Sequence, residues 1–69
     1  MIRLSERHIQ KGNRILKPYG FYEFTGSLDG DILHCNFYSG SVATLGSQLG
    51  RDLRKAFGVR EVYRMGIKL

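Results

Sequence analysis

The stretch GFYEFTGSLDGDILHCNFYS, Gly20 to Ser39, decides the fold. Its flanks are rich in aromatic and aliphatic residues, and its centre is the pair Asp29-Gly30. That pair signals a tight hairpin, because glycine reaches positive φ without steric cost. The spacing therefore predicts two antiparallel strands. In the second, Leu33, Cys35 and Phe37 alternate with Ile32, His34, Asn36 and Tyr38; in the first, Tyr22 and Phe24 alternate with Phe21, Glu23 and Thr25. Residues two apart share a sheet face. Tyr22, Phe24, Leu33, Cys35 and Phe37 read as the core face, and Phe21, His34, Asn36 and Tyr38 as the solvent face.

Outward from the hairpin, both flanks carry helical periodicity. Leu4, His8, Ile9, Gly12, Ile15 and Leu16 fall on one half of a helical wheel and Arg7, Gln10, Lys11, Arg14 and Lys17 on the other, which predicts a helix over residues 5–17. Ser5 is its expected N-cap, and Lys17-Pro18 ends it because a residue before proline avoids the helical region. Residues 41–57 repeat the pattern, with Val42, Leu45, Leu49, Leu53, Ala56 and Phe57 opposite Thr44, Gln48, Arg51, Asp52, Arg54 and Lys55. Ser41 caps this second helix and Gly58 closes it. Residues 59–69 alternate, Tyr63, Met65, Ile67 and Leu69 against Arg60, Val62, Arg64 and Lys68, as in a half-buried strand whose first set faces the core.

The expected fold is a single α+β domain over residues 1–69, in the order α-β-β-α-β. It becomes β-α-β-β-α-β, the ferredoxin-like order, if Met1 to Leu4 is extended. Both helices then cover one sheet face and leave the other bare. Gly12, Gly46 and Gly50 lie inside the expected helices, each at a cost of about 1 kcal/mol relative to alanine. Something should offset that cost: for Gly46 and Gly50, four apart on the apolar side of the second helix, close approach of the two helices or of a helix to the sheet would do so, and a helix broken near residue 46 is the alternative.

The chain has 69 residues, 42% hydrophobic and 25% charged, values of a folding globular sequence. No apolar run exceeds two residues, against about 20 for a membrane span. No apolar core of a secretory signal follows Met1, so a cytoplasmic location is expected. One cysteine, Cys35, excludes an intrachain disulfide framework and a thiolate zinc cluster.

Catalysis finds little support. His34 and Cys35 are neighbours whose side chains alternate to opposite faces, so they do not make a nucleophile and base pair. His8 and His34 lack the companions a metal site needs. Asp29-Gly30-Asp31 lacks the further ligands of a calcium loop, and Gly40, Gly46 and Gly50 are not followed by the Lys-Ser/Thr of a phosphate loop. No enzyme, metal or cofactor is expected.

The 11 basic against 6 acidic residues give +5, which favours polyanionic partners. Residues 1–20 and 41–69 each sum to +4 and residues 21–40 to −3. Arg7, Lys11 and Arg14 form one stripe along the first helix. Arg60, Arg64 and Lys68 are expected on the bare sheet face beside Phe21, His34, Asn36 and Tyr38, rings and cations together as in single-stranded nucleic acid binders. In that reading Phe21 and Tyr38 stack bases, His34 and Asn36 bond base edges or sugar, and Arg60, Arg64 and Lys68 neutralise phosphates. Arg51, Arg54 and Lys55 extend the track. RNA or single-stranded DNA is the expected partner. The alternatives are a small inhibitor or adaptor docking on an acidic protein surface, and a homodimer that shields the same rings.

Two local resemblances accompany this reading. Lys17-Pro18-Tyr19-Gly20-Phe21-Tyr22-Glu23-Phe24 resembles the RNP1 octamer of RNA recognition motifs, with Pro18 in place of a glycine and Tyr22 in place of an aliphatic residue. The resemblance implies stacking by Tyr19 and Phe21 and a backbone contact by Lys17. Leu53 to Arg64 resembles a helix-turn-helix element shortened by about two residues, which would carry Arg60 and Arg64 on a recognition helix reading duplex DNA.

Overall fold

The computed structural model describes residues 1–40 and 45–69. The order is β1 (Ile2–Arg3), α1 (Glu6–Leu16), a 3-10 turn (Lys17–Tyr19), β2 (Phe21–Asp29), β3 (Ile32–Ser39), α2 (Ser47–Phe57), β4 (Glu61–Arg64) and β5 (Ile67–Lys68). The chain is thus α+β with the ferredoxin-like element order β-α-β-β-α-β, followed by a short fifth strand. The five strands lie in sequential order, β1-β2-β3-β4-β5. All neighbours are antiparallel except β3 and β4. That parallel pair needs a crossover connection, which α2 provides.

Local chemistry sets the element ends. The Ser5 hydroxyl accepts from the His8 backbone N–H at the start of α1, and Pro18 turns the chain into the 3-10 segment. Gly30 takes φ 59° at the hairpin tip and Gly58 takes φ 64° at the end of α2, where its N–H bonds the Arg54 carbonyl. Helix α2 begins at Ser47 with Gly46 as an extended N-cap. Of the helix expected over 41–57, Leu45 and Gly46 are not helical, and the expected cap Ser41 with Val42 to Thr44 lies outside the described residues.

The two helices share one sheet face and one core. Leu16 of α1, Leu49 and Leu53 of α2, and Phe24, Leu33, Phe37 and Val62 of the sheet are all fully buried in it. Gly12 meets the Phe24 ring face on, closer than any Cβ could stand, so glycine there lets α1 lie on β2. A Cβ on Gly50 would lie 2.8 Å from the Leu69 backbone carbon, so this glycine lets α2 close on the C-terminus. Among the described residues Gly46 has no such neighbour.

Two departures from strict alternation reset which residues face the core. The register shifts between Tyr22 and Thr25, where Glu23 takes φ 55° in a bulge. The Phe24 N–H, released from the ladder, donates to the Asn13 side-chain oxygen of α1 at 2.8 Å. Phe21 and Phe24 both enter the core and Tyr22 turns outward, reversing the expected sides of Phe21 and Tyr22. At the other end, Met65 (φ 50°) and Gly66 (φ 81°) form a two-residue turn pairing Arg64 with Ile67 and Tyr63 with Lys68. The single strand expected over 59–69 is therefore a small hairpin. Val62 is buried, Arg64 lies on its side of the sheet, and Met65 and Ile67 are exposed.

Cys35 is buried beneath the sheet, and burial pushes its thiol up to about 12 against a smaller opposing pull from Arg64. A neutral, enclosed thiol is a poor nucleophile. In the native protein Cys35 is expected to react with a thiol reagent only as fast as the fold opens, and at once in denaturant; rapid stoichiometric labelling of the native chain would contradict this.

Candidate functional site

The sheet face not covered by helices carries its side chains in cross-strand rows, because β3 is its central strand. Arg3, Ser27, His34, Tyr63 and Lys68 are register partners from β1 to β5. The His34 and Tyr63 rings stack with centroids 5.7 Å apart and planes at 21°. Thr25 and Asn36 form the next row and Tyr22 and Tyr38 the one beyond. Tyr22 and Tyr38 stand 5.9 Å apart, 51% and 54% exposed. Single exposed rings are common; two pairs on one face, separated by the single row of Thr25 and Asn36, form a patch.

The expected site is only partly assembled here. His34, Asn36, Tyr38 and Lys68 share the face, joined by Tyr22 and Tyr63, which the alternation had placed in the core. Phe21 is a core residue packed edge-on against Phe37 at 4.8 Å. Arg64 is under the sheet, its guanidinium 4.3 Å from the Phe37 ring centroid and 5.3 Å from that of Phe21, with one Nη donating to the Phe37 carbonyl. It staples the core edge and is not presented to a phosphate on the open face. Arg60 pairs with Asp31 at 3.1 Å beside the hairpin tip, and Lys68 with Glu61 at 3.4 Å. Arg54 donates to the Leu69 carbonyl. Only Arg51 and Lys55 of the expected cations stand exposed on α2.

The local resemblances do not survive folding. Tyr19 lies in the 3-10 turn with its hydroxyl donating to Asp52 at 2.6 Å, and Phe21 is buried, so neither is a stacking platform. Residues 61–64 are strand, so Arg60 and Arg64 are on no recognition helix.

Charge follows the layers of the fold. The helices and the 3-10 turn carry seven basic side chains (Arg7, Lys11, Arg14, Lys17, Arg51, Arg54 and Lys55) against two acidic ones, Glu6 and Asp52. The strands and their turns carry four of each, so the whole +5 excess belongs to the helical layer. Of its two acids, Asp52 accepts from Tyr19 and from the Gln48 side chain. These bonds hold its carboxyl below the ordinary value and raise the Tyr19 phenol.

Within this layer a shallow groove runs between α1 and the end of α2, lined by Ser5, Arg7, His8, Lys11, Arg14, Ile15 and Ala56. Lys11 donates to the Ala56 carbonyl at 2.6 Å and stands 5.7 Å over the Phe57 ring. A cation on the last carbonyls of α2 complements the negative end of its dipole. Arg7, Lys11 and Arg14 follow one another along the rim at i, i+4 and i+7, about 10 Å in all. Among the described residues no three His, Cys, Asp or Glu side chains are grouped to hold a metal ion, and no helix is long and apolar enough to cross a membrane. Comparison of the chain with models of protein families, with curated protein sequences and with solved structures finds no match.

Proposed function

We propose that this chain is a small nucleic-acid-binding module that holds the phosphate backbone against its helical layer, not a base-stacking module working through the sheet. The observation that carries the reading is the segregation of charge: seven basic side chains against two acidic on the helices, and four against four on the sheet and its turns. A polyanion is drawn to the side with the excess. Arg7, Lys11 and Arg14 of α1, with Arg51 and Lys55 of α2, are exposed. The shared geometry of phosphates, rather than any base edge, is what such a surface reads, so RNA, single-stranded DNA and duplex DNA are all bound.

The test is polarisation binding to labelled single-stranded RNA, single-stranded DNA and duplex DNA across 50 to 200 mM salt. With about five phosphates engaged, log K falls against log salt with a slope near −4.5 for duplex and about −3.5 for single strands. Absent binding at the lowest salt, or an affinity indifferent to salt, overturns the reading.

A further inference from the structure

We propose that the open sheet face is a homodimer interface, covered by a second copy of this chain packed sheet to sheet, independently of the phosphate surface on the helices. Tyr22 and Tyr38 leave about half their surface exposed, and the His34–Tyr63 stack lies two rows away. Rings with an apolar body and a polar tip are the side chains that interfaces collect.

Charge selects the occupant. The cations Lys68 and Arg60 are matched by Glu61 and Asp31 within the same layer. With Arg64 under the sheet, the strands and turns otherwise carry three basic side chains against four acidic ones, so this face offers a polyanion no net attraction and a second copy little net repulsion. Packing helix layer on helix layer would instead set seven basic side chains against seven. A second copy therefore docks through its sheet, with both basic layers outward.

The arrangement of the rows suits a two-fold axis. His34, Asn36 and Tyr38 lie at i, i+2 and i+4 on β3, the middle strand of five, with Asn36 equidistant from the other two. An axis across the strands at Asn36 sets Tyr38 of one copy over His34 of the other, Tyr22 over Ser27, and Asn36 over its own counterpart. Tyr22, His34 and Tyr38 each then meet a ring or a hydroxyl, and the contact is isologous and closed. Five strands about 4.8 Å apart span only about 20 Å, a small interface, so the dimer is weak and concentration-dependent.

Sedimentation velocity of the full chain at about 5 μM and 500 μM is the test. The expected result is a weight-average mass that rises from the 7.9 kDa of the monomer toward twice that value. Tyr38→Lys places two like charges into the contact and keeps the species monomeric throughout, as does Tyr22→Lys, with circular dichroism establishing that each still folds. Arg7→Ala/Lys11→Ala/Arg14→Ala dimerises like the parent, which separates this proposal from the phosphate surface. A parent that stays monomeric at 500 μM, or lysine variants that dimerise equally well, overturns it. So does a loss of single-stranded nucleic acid binding by Tyr38→Lys at concentrations where the parent is monomeric, since that would assign the rings to bases.

Discussion

Replacing Arg7, Lys11 and Arg14 by alanine together is expected to weaken nucleic acid binding on the order of 100-fold near 0.1 M salt and to flatten the salt slope for duplex by about 2.7. Each phosphate contact contributes about 0.9 to that slope, because each displaces its share of condensed counterions. The three side chains line one groove rim. Alanine is the best helix former, so α1 is not weakened through its backbone. What is lost from the fold is the Lys11 contact to Ala56 and Phe57, worth about 1 kcal/mol.

The decisive control is Arg3→Ala/Arg60→Ala/Lys68→Ala. It removes the same three charges from the chain, but from the strands and turns. A partner that senses only net charge responds equally to both triple variants, whereas a backbone seated on the helices responds to the first alone. Equal losses, or a larger loss from the strand variant, would move the polyanion to the sheet.

The second large effect is on stability and runs against helix propensity. Gly12→Ala would add about 1 kcal/mol of intrinsic helix preference, yet it is expected to destabilise the protein by about 1–3 kcal/mol, the usual cost of overpacking a core. The new methyl would be driven into the Phe24 ring. That ring cannot swing aside, since it is fully buried and stacked 5.6 Å from Phe57. For 69 residues the total stability is roughly 3–10 kcal/mol, and each kcal/mol moves Tm by about 4–8 °C in a domain this small. Urea denaturation of Gly12→Ala, Phe24→Leu and the double variant forms a cycle in which the smaller side chain relieves the clash. The double variant is expected to lose less than the two single losses added together. Strict additivity, or a stabilised Gly12→Ala, would mean that α1 can lift off the sheet without cost.

Much of the fold was legible in short windows. The wheel of residues 5–17, the Ser5 cap and Pro18 define α1 from neighbours within one or two turns. Asp29-Gly30 defines the hairpin, and β3 keeps unbroken alternation, so Leu33, Cys35 and Phe37 are inside while His34, Asn36 and Tyr38 face outward, as read. Gly50 does allow a close approach, but to the C-terminal Leu69 rather than to the other helix or a strand. Gly46 instead caps a helix that begins at residue 47, and among the described residues nothing stands close enough to it to support the packing argument.

The candidate site was less legible, because its membership depends on parity. A period of two carries no memory across an inserted residue, so one bulge or one tight turn exchanges faces for everything on its far side. The bulge at Glu23 is held by Asn13, ten positions away on α1, and by an α1 backbone that Gly12 allows to lie on Phe24. Nothing within β2 announces it. The turn at Met65-Gly66 had a local sign in its glycine, yet the even alternation through Leu69 masked it. The bulge buries Phe21 and brings out Tyr22, while the pairing of Val62 with Leu33 in short β4 puts Arg64 under the sheet and Tyr63 on its open face.

The two amphipathic helices, the hairpin and the size of the positive excess follow from spacing and composition over a few residues. Which rings meet solvent, and that the excess of cations lies on the layer opposite the exposed tyrosines, came from the fold. Those outcomes rest on contacts between segments far apart in the chain, where a helix side chain satisfies a strand amide and resets the strand's phase.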